Sequence, residues 1–323
     1  MSERLIVVTG AAGFVGRALC AHLAATGRTH RGIVRVPAAR ASRGTEFVAL
    51  GDLAAVPDEQ LAAAVGGAFA VVHLTGRAHV LRERALDPAA AYHAANVVAT
   101  ERLAAVAARA GVQRFIFAST VKVHGETTTP GRPFRADDPL SPRDAYARSK
   151  VAAERGLAAA CEGTSMVPIV LRLPLVYGPG VRGNFLALLD AVARRAPLPF
   201  RSIDNRRDLL YVGNLVHAIT ALLDAREPAS GAWLAADGEA VSTPDLVRRI
   251  AAALGVAPRL VPFPVPLLEF AARLSGRHAQ QSRIVSSLEV DASLLRRRIG
   301  PLPCTLDQGL VATAQWWRAR HAI

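Results

Sequence analysis

A strand, a glycine turn and a helix follow one another without a gap near the start of this chain, and few folds can use that opening. Leu5-Ile6-Val7-Val8 is a short apolar run rich in β-branched residues, the pattern of a buried strand. Gly10, Gly13 and Gly16 follow at the spacing G-x-x-G-x-x-G. A helix is expected from about Val15 to Thr26, with Leu19 and Leu23 on one stripe and Gly27 as a stop. Such a unit begins a dinucleotide-binding fold: glycine permits the tight turn and lets backbone N–H groups reach a pyrophosphate at the helix N-terminus. Gly10, Gly13, Phe14, Val15 and Gly16 are therefore candidate cofactor contacts. The spacing differs from the more familiar G-x-G-x-x-G. An ordinary βα turn could also carry three glycines, but here strand, turn and helix all fall where cofactor binding needs them.

The next strand, Gly32-Ile33-Val34-Arg35, ends on an arginine. An acidic residue there would hydrogen-bond an adenosine ribose and select NAD, whereas a guanidinium suits a 2′-phosphate. Arg35, with Arg40 and Arg43 behind it, thus favours NADP, with NAD as the other cofactor the fold accepts.

Strand and helix patterns keep alternating. Phe47–Leu53, ending in a Gly-Asp turn, Ala70–Leu74, Arg114–Thr120 and Val167–Leu173 read as strands, and Ala94–Ala110 and Tyr146–Ala160 as helices. This implies an α/β fold: a Rossmann-like, doubly wound parallel sheet over residues 1–175, with a smaller lobe over 176–323. Trp233–Ala236 is expected to return to the sheet. Ligands bind at the carboxyl ends of strands in such sheets. Gly10, Asp52, Leu74, Thr120 and Pro174 fall at or near those ends.

Tyr146 and Lys150 stand four apart at the start of the second helix, so a phenol and an ammonium share one face. Tyrosine has a free pKa of about 10, and a cation within about 4–6 Å lowers an acid by roughly 1–3. The pair is expected to bring the phenol towards acid–base work near neutrality. The spacing recurs by chance on surface helices. Yet the only lysines in the chain are Lys122 and Lys150, against a large excess of arginine. A hydroxyl at Thr120 could hydrogen-bond the oxygen whose proton Tyr146 handles.

The formal charge of +13 invites a nucleic-acid reading. The arginines are scattered, however, apart from Arg296-Arg297-Arg298, and aromatic residues are 5% of the chain, so nucleic acid is not the expected partner. Cys20, Cys161 and Cys304 are far apart and have no metal-ligand spacing, and no metal is expected. They fit a reducing compartment. With no secretory segment ahead of the first strand and no uncharged apolar stretch of about 18 residues, a cytoplasmic protein without membrane insertion is expected.

Taken together, TGAAGFVG at 9–16, HLTG at 73–76, Asn96, Ser119-Thr120, YxxxK at 146–150 and Leu171-Arg172-Leu173-Pro174 resemble an extended short-chain dehydrogenase/reductase of the nucleotide-sugar epimerase/dehydratase group. The resemblance covers nearly the whole chain. It implies that Thr120, Tyr146 and Lys150 are catalytic, that Asp52 and Leu53 flank the adenine, and that Leu74, Thr75 and Gly76 line the cofactor's path. It adds Asn96 to the cofactor-binding set and turns Pro174 towards the nicotinamide. Asn184, Arg207 and Arg283 match positions that hold the nucleotide diphosphate, and Lys122 falls in a loop that would face the sugar.

Within that group, the stretches 119–126, 178–185 and 204–207 resemble bacterial O-antigen enzymes acting on UDP-linked 4-keto-6-deoxy-N-acetylhexosamine. Related members are 4-epimerases. His124 replaces the group's common Tyr or Asn, and Leu175 stands where several UDP-hexose epimerases carry Asn. The resemblance thus implies a C4 ketoreductase using NADPH, a 4-epimerase retaining NAD as the alternative, and a homodimer. A non-catalytic NAD(P)-binding regulator on the same fold is a third reading.

Overall fold

The computed structural model describes residues 4–37, 45–78, 87–227, 229–267 and 284–321. The chain forms two compact units. The first comprises residues 1–123, 139–173 and 216–233, and the second residues 124–138, 174–215 and 234–323.

The first unit is built on a seven-stranded sheet. Its strands are β1 (Leu5–Thr9), β2 (His30–Val34), β3 (Glu46–Ala49), β4 (Ala68–His73), β5 (Arg114–Thr120), β6 (Val167–Leu173) and β9 (Gly231–Leu234), in the order β3-β2-β1-β4-β5-β6-β9. Registered pairs run parallel: Val7 opposite both Arg31 and Val71, Val71 opposite Phe115, and Ile116 opposite Ile169. Strand order reverses between β1 and β4, the switch point at which such sheets open a crevice beyond their carboxyl ends. The strands read as near-continuous apolar runs because helices cover the sheet. Val7, Val71, Phe115, Leu103 and Leu157 share one buried cluster, joining three strands to helices α4 (Ala99–Arg109) and α5 (Ala145–Cys161).

The remaining helices of this unit are α1 (Phe14–Ala25), α2 (Asp58–Val65) and α3 (Pro88–Tyr92), together with the end of α7 (Val212–Asp224). Arg114 ties that end down. Its guanidinium donates to the carbonyls of Leu222 at 2.7 Å, Leu223 at 2.8 Å and Ala225, which satisfies the open carbonyls of a helix C-terminus.

The third strand pairs as far as Ala49 and ends in the Gly-Asp turn expected of it. Gly51 adopts φ +70°, and Asp52 then organises a turn, its carboxylate accepting from Ala54 N at 3.0 Å and its carbonyl from Ala55 and Val56. The helix expected from Ala94 is one turn of π-helix over His93–Val98 before α4 begins. The returning strand is Gly231–Leu234, two residues earlier than expected, and lies beside β6.

The second unit holds a parallel pair, β7 (Leu175–Tyr177) with β8 (Leu209–Tyr211). Its helices are α6 (Gly183–Ala193), α8 (Thr243–Leu254), α9 (Ser293–Ile299) and α10 (Leu306–His321). Buried polar groups organise it. The Asp237 carboxylate accepts from Tyr211 N at 3.0 Å and from Asn214 Nδ2 at 2.8 Å, and Asn214 also exchanges bonds with the backbone of Cys304. Among the described residues, no helix is long and apolar enough to cross a membrane.

Candidate active site

At the end of β1 the backbone turns on Gly10, at φ +67°. A Cβ there would lie 3.0 Å from the backbone of Leu74 and of Thr75, so only glycine lets this turn close against the end of β4. A Cβ on Gly16 would lie 2.1 Å from the Gly10 carbonyl oxygen, which brings the first turn of α1 hard against the β1 turn. Gly13 is the N-cap of α1 and has no side chain with which to satisfy the first-turn N–H groups. No acidic residue occupies that first turn. Gly13 is exposed and Phe14 and Val15 are half-buried, so the positive end of the helix is accessible. These features fit a dinucleotide pyrophosphate, whose charge such a helix end stabilises.

The β1 and β4 ends are locked together by a buried chain of hydrogen bonds. The N–H groups of Leu74 and Thr75 donate to Thr9 Oγ1 at 3.2 and 3.3 Å. Thr9 Oγ1 lies 2.7 Å from His73 Nδ1, and His73 Nε2 lies 3.1 Å from Thr100 Oγ1. Thr100 spends its single proton on the Asn96 carbonyl at 2.6 Å, so it must accept from His73. The imidazole therefore carries its proton on Nε2, and Thr9 donates to Nδ1. Burial, with the Lys150 charge second, pushes His73 down to about 3, so it is neutral throughout the physiological range. A lone histidine in an apolar strand gives no sign in sequence of two threonine partners.

Asn96 sits in the π-helical turn and is 1% exposed. Its amide accepts from Arg77 N at 2.7 Å and donates to Arg77 O at 3.1 Å and to Ser149 Oγ at 2.9 Å. It thus clamps the segment after Gly76 to α5. Such local widenings of a helix often occur at functional sites. A Cβ on Gly76 would lie 3.0 Å from Asn96 Oδ1 and 3.3 Å from Lys150 Nζ, so the segment carrying Thr75 and Gly76 passes directly over the lysine.

Helix α5 presents the tyrosine and the lysine. Asp144 is its N-cap, with Oδ1 accepting from Ala147 N at 2.7 Å. Lys150 is 5% exposed; its Nζ donates to the Ala118 carbonyl at 2.8 Å and stands 4.4 Å from the centroid of the Phe117 ring. Thr120, at the end of β5, is a near neighbour of the Tyr146 phenol and acts to lower its pKa. Tyr92 packs against Tyr146 with ring centroids 6.0 Å apart. Thr120, Tyr146, Lys150, Asn96 and Gly76 are therefore neighbours in one unit. Behind Thr120, Glu154 is held by Ser119 Oγ and by Arg172 Nη2 at 2.7 Å, a buried ion pair 8% and 9% exposed.

One expectation is corrected. The phenol is not brought down by Lys150. Tyr146 is half-buried as a residue, yet desolvation of its hydroxyl is the largest influence and pushes it up to about 12; Thr120 works against this, while the charge of Asp144 adds to it. Lys150 is itself desolvated down to about 8 and directs its ammonium at the Ala118 carbonyl.

The other candidates are distributed as follows. Arg35 is exposed just beyond β2. Asp52 is exposed and engaged in its own turn, whereas Leu53 is 4% exposed and belongs to the core. Pro174 is buried directly after β6. Lys122 is ion-paired to Asp144 rather than solvated. In the second unit Asn184 is exposed in the first turn of α6. Arg207 is half-buried and donates to Ser286 O at 2.7 Å. His124 is buried and stacks on Phe134 with centroids 5.6 Å apart. Arg283, Arg40 and Arg43 lie outside the described residues.

A Rossmann-like sheet with a glycine turn at its switch point and a Thr-Tyr-Lys group beside it defines a dinucleotide-binding α/β protein of the extended short-chain type. Residues 6–234 match the NAD dependent epimerase/dehydratase family, and the chain belongs to that family. It is 36% identical over 313 residues to a UDP-glucose 4-epimerase of Vibrio cholerae, covering 96% of this chain and 94% of that one. It is 30% identical over 272 residues to a dTDP-6-deoxy-L-talose 4-dehydrogenase (NAD(P)(+)) of Kitasatospora kifunensis, covering 81% and 82% of the two chains. Among solved structures, MoeE5 in complex with UDP-glucuronic acid and NAD superposes with a TM-score of 0.79 at 26% identity, over 98% of this chain and 99% of that one.

Proposed function

We propose that this protein transfers hydride at C4 of a nucleotide-linked sugar, reducing a UDP-4-keto-6-deoxy-N-acetylhexosamine with NADPH in the supply of precursors for O-antigen or a similar polysaccharide. The observation that supports acid–base chemistry is Thr120 beside the Tyr146 phenol, one helical turn from a buried Lys150. The bound nicotinamide supplies hydride transfer. The chain's own residues supply the proton and the alignment. Tyr146 protonates the oxygen emerging at C4. Thr120 orients that oxygen, so charge develops against a donor already in place. Lys150, fixed by Ala118, holds a positive charge beneath the site and steadies the tyrosinate left behind. A phenol at about 12 keeps its proton in the resting protein, as a general acid must. The α1 N-terminus and Gly10, Gly13 and Gly16 take the pyrophosphate. Asn184 and Arg207 are the proposed contacts to the substrate's diphosphate, and Arg283 a third; a homodimer in the cytoplasm is the expected form.

Reduction is favoured over epimerisation by Arg35, which is exposed where an adenosine 2′-phosphate would be recognised. A reductase exchanges its cofactor on each turnover, and NADPH is the cell's reducing pool. The second reading, a 4-epimerase retaining NAD, is supported by the likeness to the Vibrio cholerae UDP-glucose 4-epimerase. Purified protein given a panel of UDP- and dTDP-4-ketosugars decides between them. Stoichiometric NADPH oxidation supports reduction. Interconversion of UDP-hexoses without added cofactor, by protein that keeps NAD through gel filtration, replaces it with epimerisation.

A further inference from the structure

We propose that Lys122 is a positioning residue for the acid–base site: its ammonium, paired to the N-cap carboxylate of α5, offsets a negative charge that would otherwise stand bare beside the Tyr146 phenol. This rests on the functional reading above.

Lys122 lies in a single 3-10 turn, Val121–Val123, that leaves β5 directly after Thr120. The turn is fastened to the site, because Lys122 N donates to Thr120 Oγ1 at 3.3 Å. The Lys122 side chain is 16% exposed and its Nζ bonds Asp144 Oδ2. Asp144 Oδ1 meanwhile accepts from Ala147 N at 2.7 Å. Both carboxylate oxygens are engaged, and the group is fixed two residues before Tyr146.

The arrangement resolves a conflict. A helix N-terminus favours an acidic cap, which supplies an acceptor and complements the helix dipole. The phenol in the first turn of the same helix must ionise during turnover, and a fixed negative charge nearby opposes that. Asp144 is indeed among the groups that push the phenol up. A cation on the far oxygen of that carboxylate reconciles capping with ionisation. The groups acting on the Tyr146 phenol are Thr120 from β5, Tyr92 from α3 with Arg77 5.4 Å from its ring centroid, and Asp144 at the start of α5, which Lys122 from the turn engages. One lysine of an arginine-rich chain is thus engaged with the cap of the helix that carries Tyr146 and Lys150.

The test is the pH dependence of kcat/KM in the oxidative direction, where tyrosinate is the active form, measured with saturating cofactor. Lys122→Met should move the rising limb to higher pH by about one unit, the size expected for a nearby charge. Asp144→Asn, which keeps a capping oxygen, should move it down. The double variant should return close to wild type, and Lys122→Arg should resemble wild type. An unmoved limb in Lys122→Met, a rise in KM alone, or a double variant no better than Lys122→Met overturns the proposal; a rise in KM alone would make Lys122 a substrate contact. If wild-type protein turns over no nucleotide sugar, it is the functional reading that fails. The pair is then judged by NMR titration of 13Cζ-labelled tyrosine. A Tyr146 midpoint lowered by Asp144→Asn and raised by Lys122→Met upholds the inference, and midpoints that do not move overturn it.

Discussion

Lys150 Nζ donates to the carbonyl oxygen of Ala118 at 2.8 Å, which fixes an ammonium beneath the end of β5 where water is excluded. Burial holds its pKa down at about 8, with the charge of Glu154 opposing that trend. Folding thus weakens the lysine's hold on its proton, whereas the unfolded chain keeps the ordinary value of 10.5. Between pH 8 and 10.5 the unfolded state binds more protons, so stability rises with pH across that window. Lys150→Met should therefore be more stable than wild type at pH 7, by on the order of 2–3 kcal/mol, with the gain shrinking towards pH 10. The same variant should lose about 10²–10⁴-fold in kcat. Thermal melts at the two pH values, alongside turnover, check both arms.

His73 predicts the same sign of pH dependence in a lower window. Its folded value is depressed to about 3, so its contribution is complete above the unfolded value of 6.5 and is lost as pH falls towards 3. His73→Phe keeps a ring in place but leaves Thr9 and Thr100 without their partner. Each unmet buried group costs about 1–3 kcal/mol. Urea melts at neutral pH should show a loss of a few kcal/mol, and the variant should lack the acid sensitivity that wild type has between pH 6.5 and 3.

Asp208 is a third case. Burial raises it to about 6, and the bond from Val290 N at 2.8 Å only partly offsets this. For a carboxyl group raised in the fold, stability falls as pH rises from 3.8 to about 6, and the full cost remains above that. Asp208→Asn keeps an acceptor for Val290 and removes the charge. It should stabilise the protein above pH 6, by on the order of 2 kcal/mol, and change little near pH 4.

The pair of Glu154 and Arg172 closes the site from behind, and its worth depends on both partners being present. Arg172→Met alone should cost about 3–5 kcal/mol by leaving a buried carboxylate unpaired. Removing both charges together, as Glu154→Gln with Arg172→Met, should recover much of that loss. A double-mutant cycle measured by chemical denaturation gives the coupling directly.

Arg35 is the residue on which the proposed use of NADPH rests. Arg35→Ala should weaken NADPH binding by tenfold or more while leaving NADH almost unaffected, since a lost charge-assisted bond is worth about 1.5–3 kcal/mol. Equal losses for both cofactors would show that the guanidinium does not meet a 2′-phosphate.

Much of this was readable in the residues. The glycine turn announced Leu5–Thr9 and Phe14–Ala25 because its φ and contact requirements are local. Thr120, Tyr146 and Lys150 were legible for a similar reason: a strand end and an i,i+4 pair are short-range facts. Long-range partners were not legible. Nothing near Lys122 in sequence names Asp144, although an aspartate before an alanine-rich helix is a readable cap. His73 meets Thr9 and Thr100 only after three segments assemble. The phenol's pKa was misjudged because helical spacing fixes a shared face, while burial, which dominates here, is set by the whole fold. The π-helical turn around Asn96 has no sequence period of its own and was read as ordinary helix.

The central claim is hydride and proton transfer at C4 of a nucleotide-linked sugar, with Tyr146 as the acid. Its most direct test follows deuterium from C4-labelled NADPH into a UDP-4-keto-6-deoxy-N-acetylhexosamine, with product read by NMR. The account predicts one deuterium at sugar C4 for wild type and an acid–base loss of about 10²-fold or more for Tyr146→Phe. Product without label at C4, or full turnover by Tyr146→Phe, would contradict it.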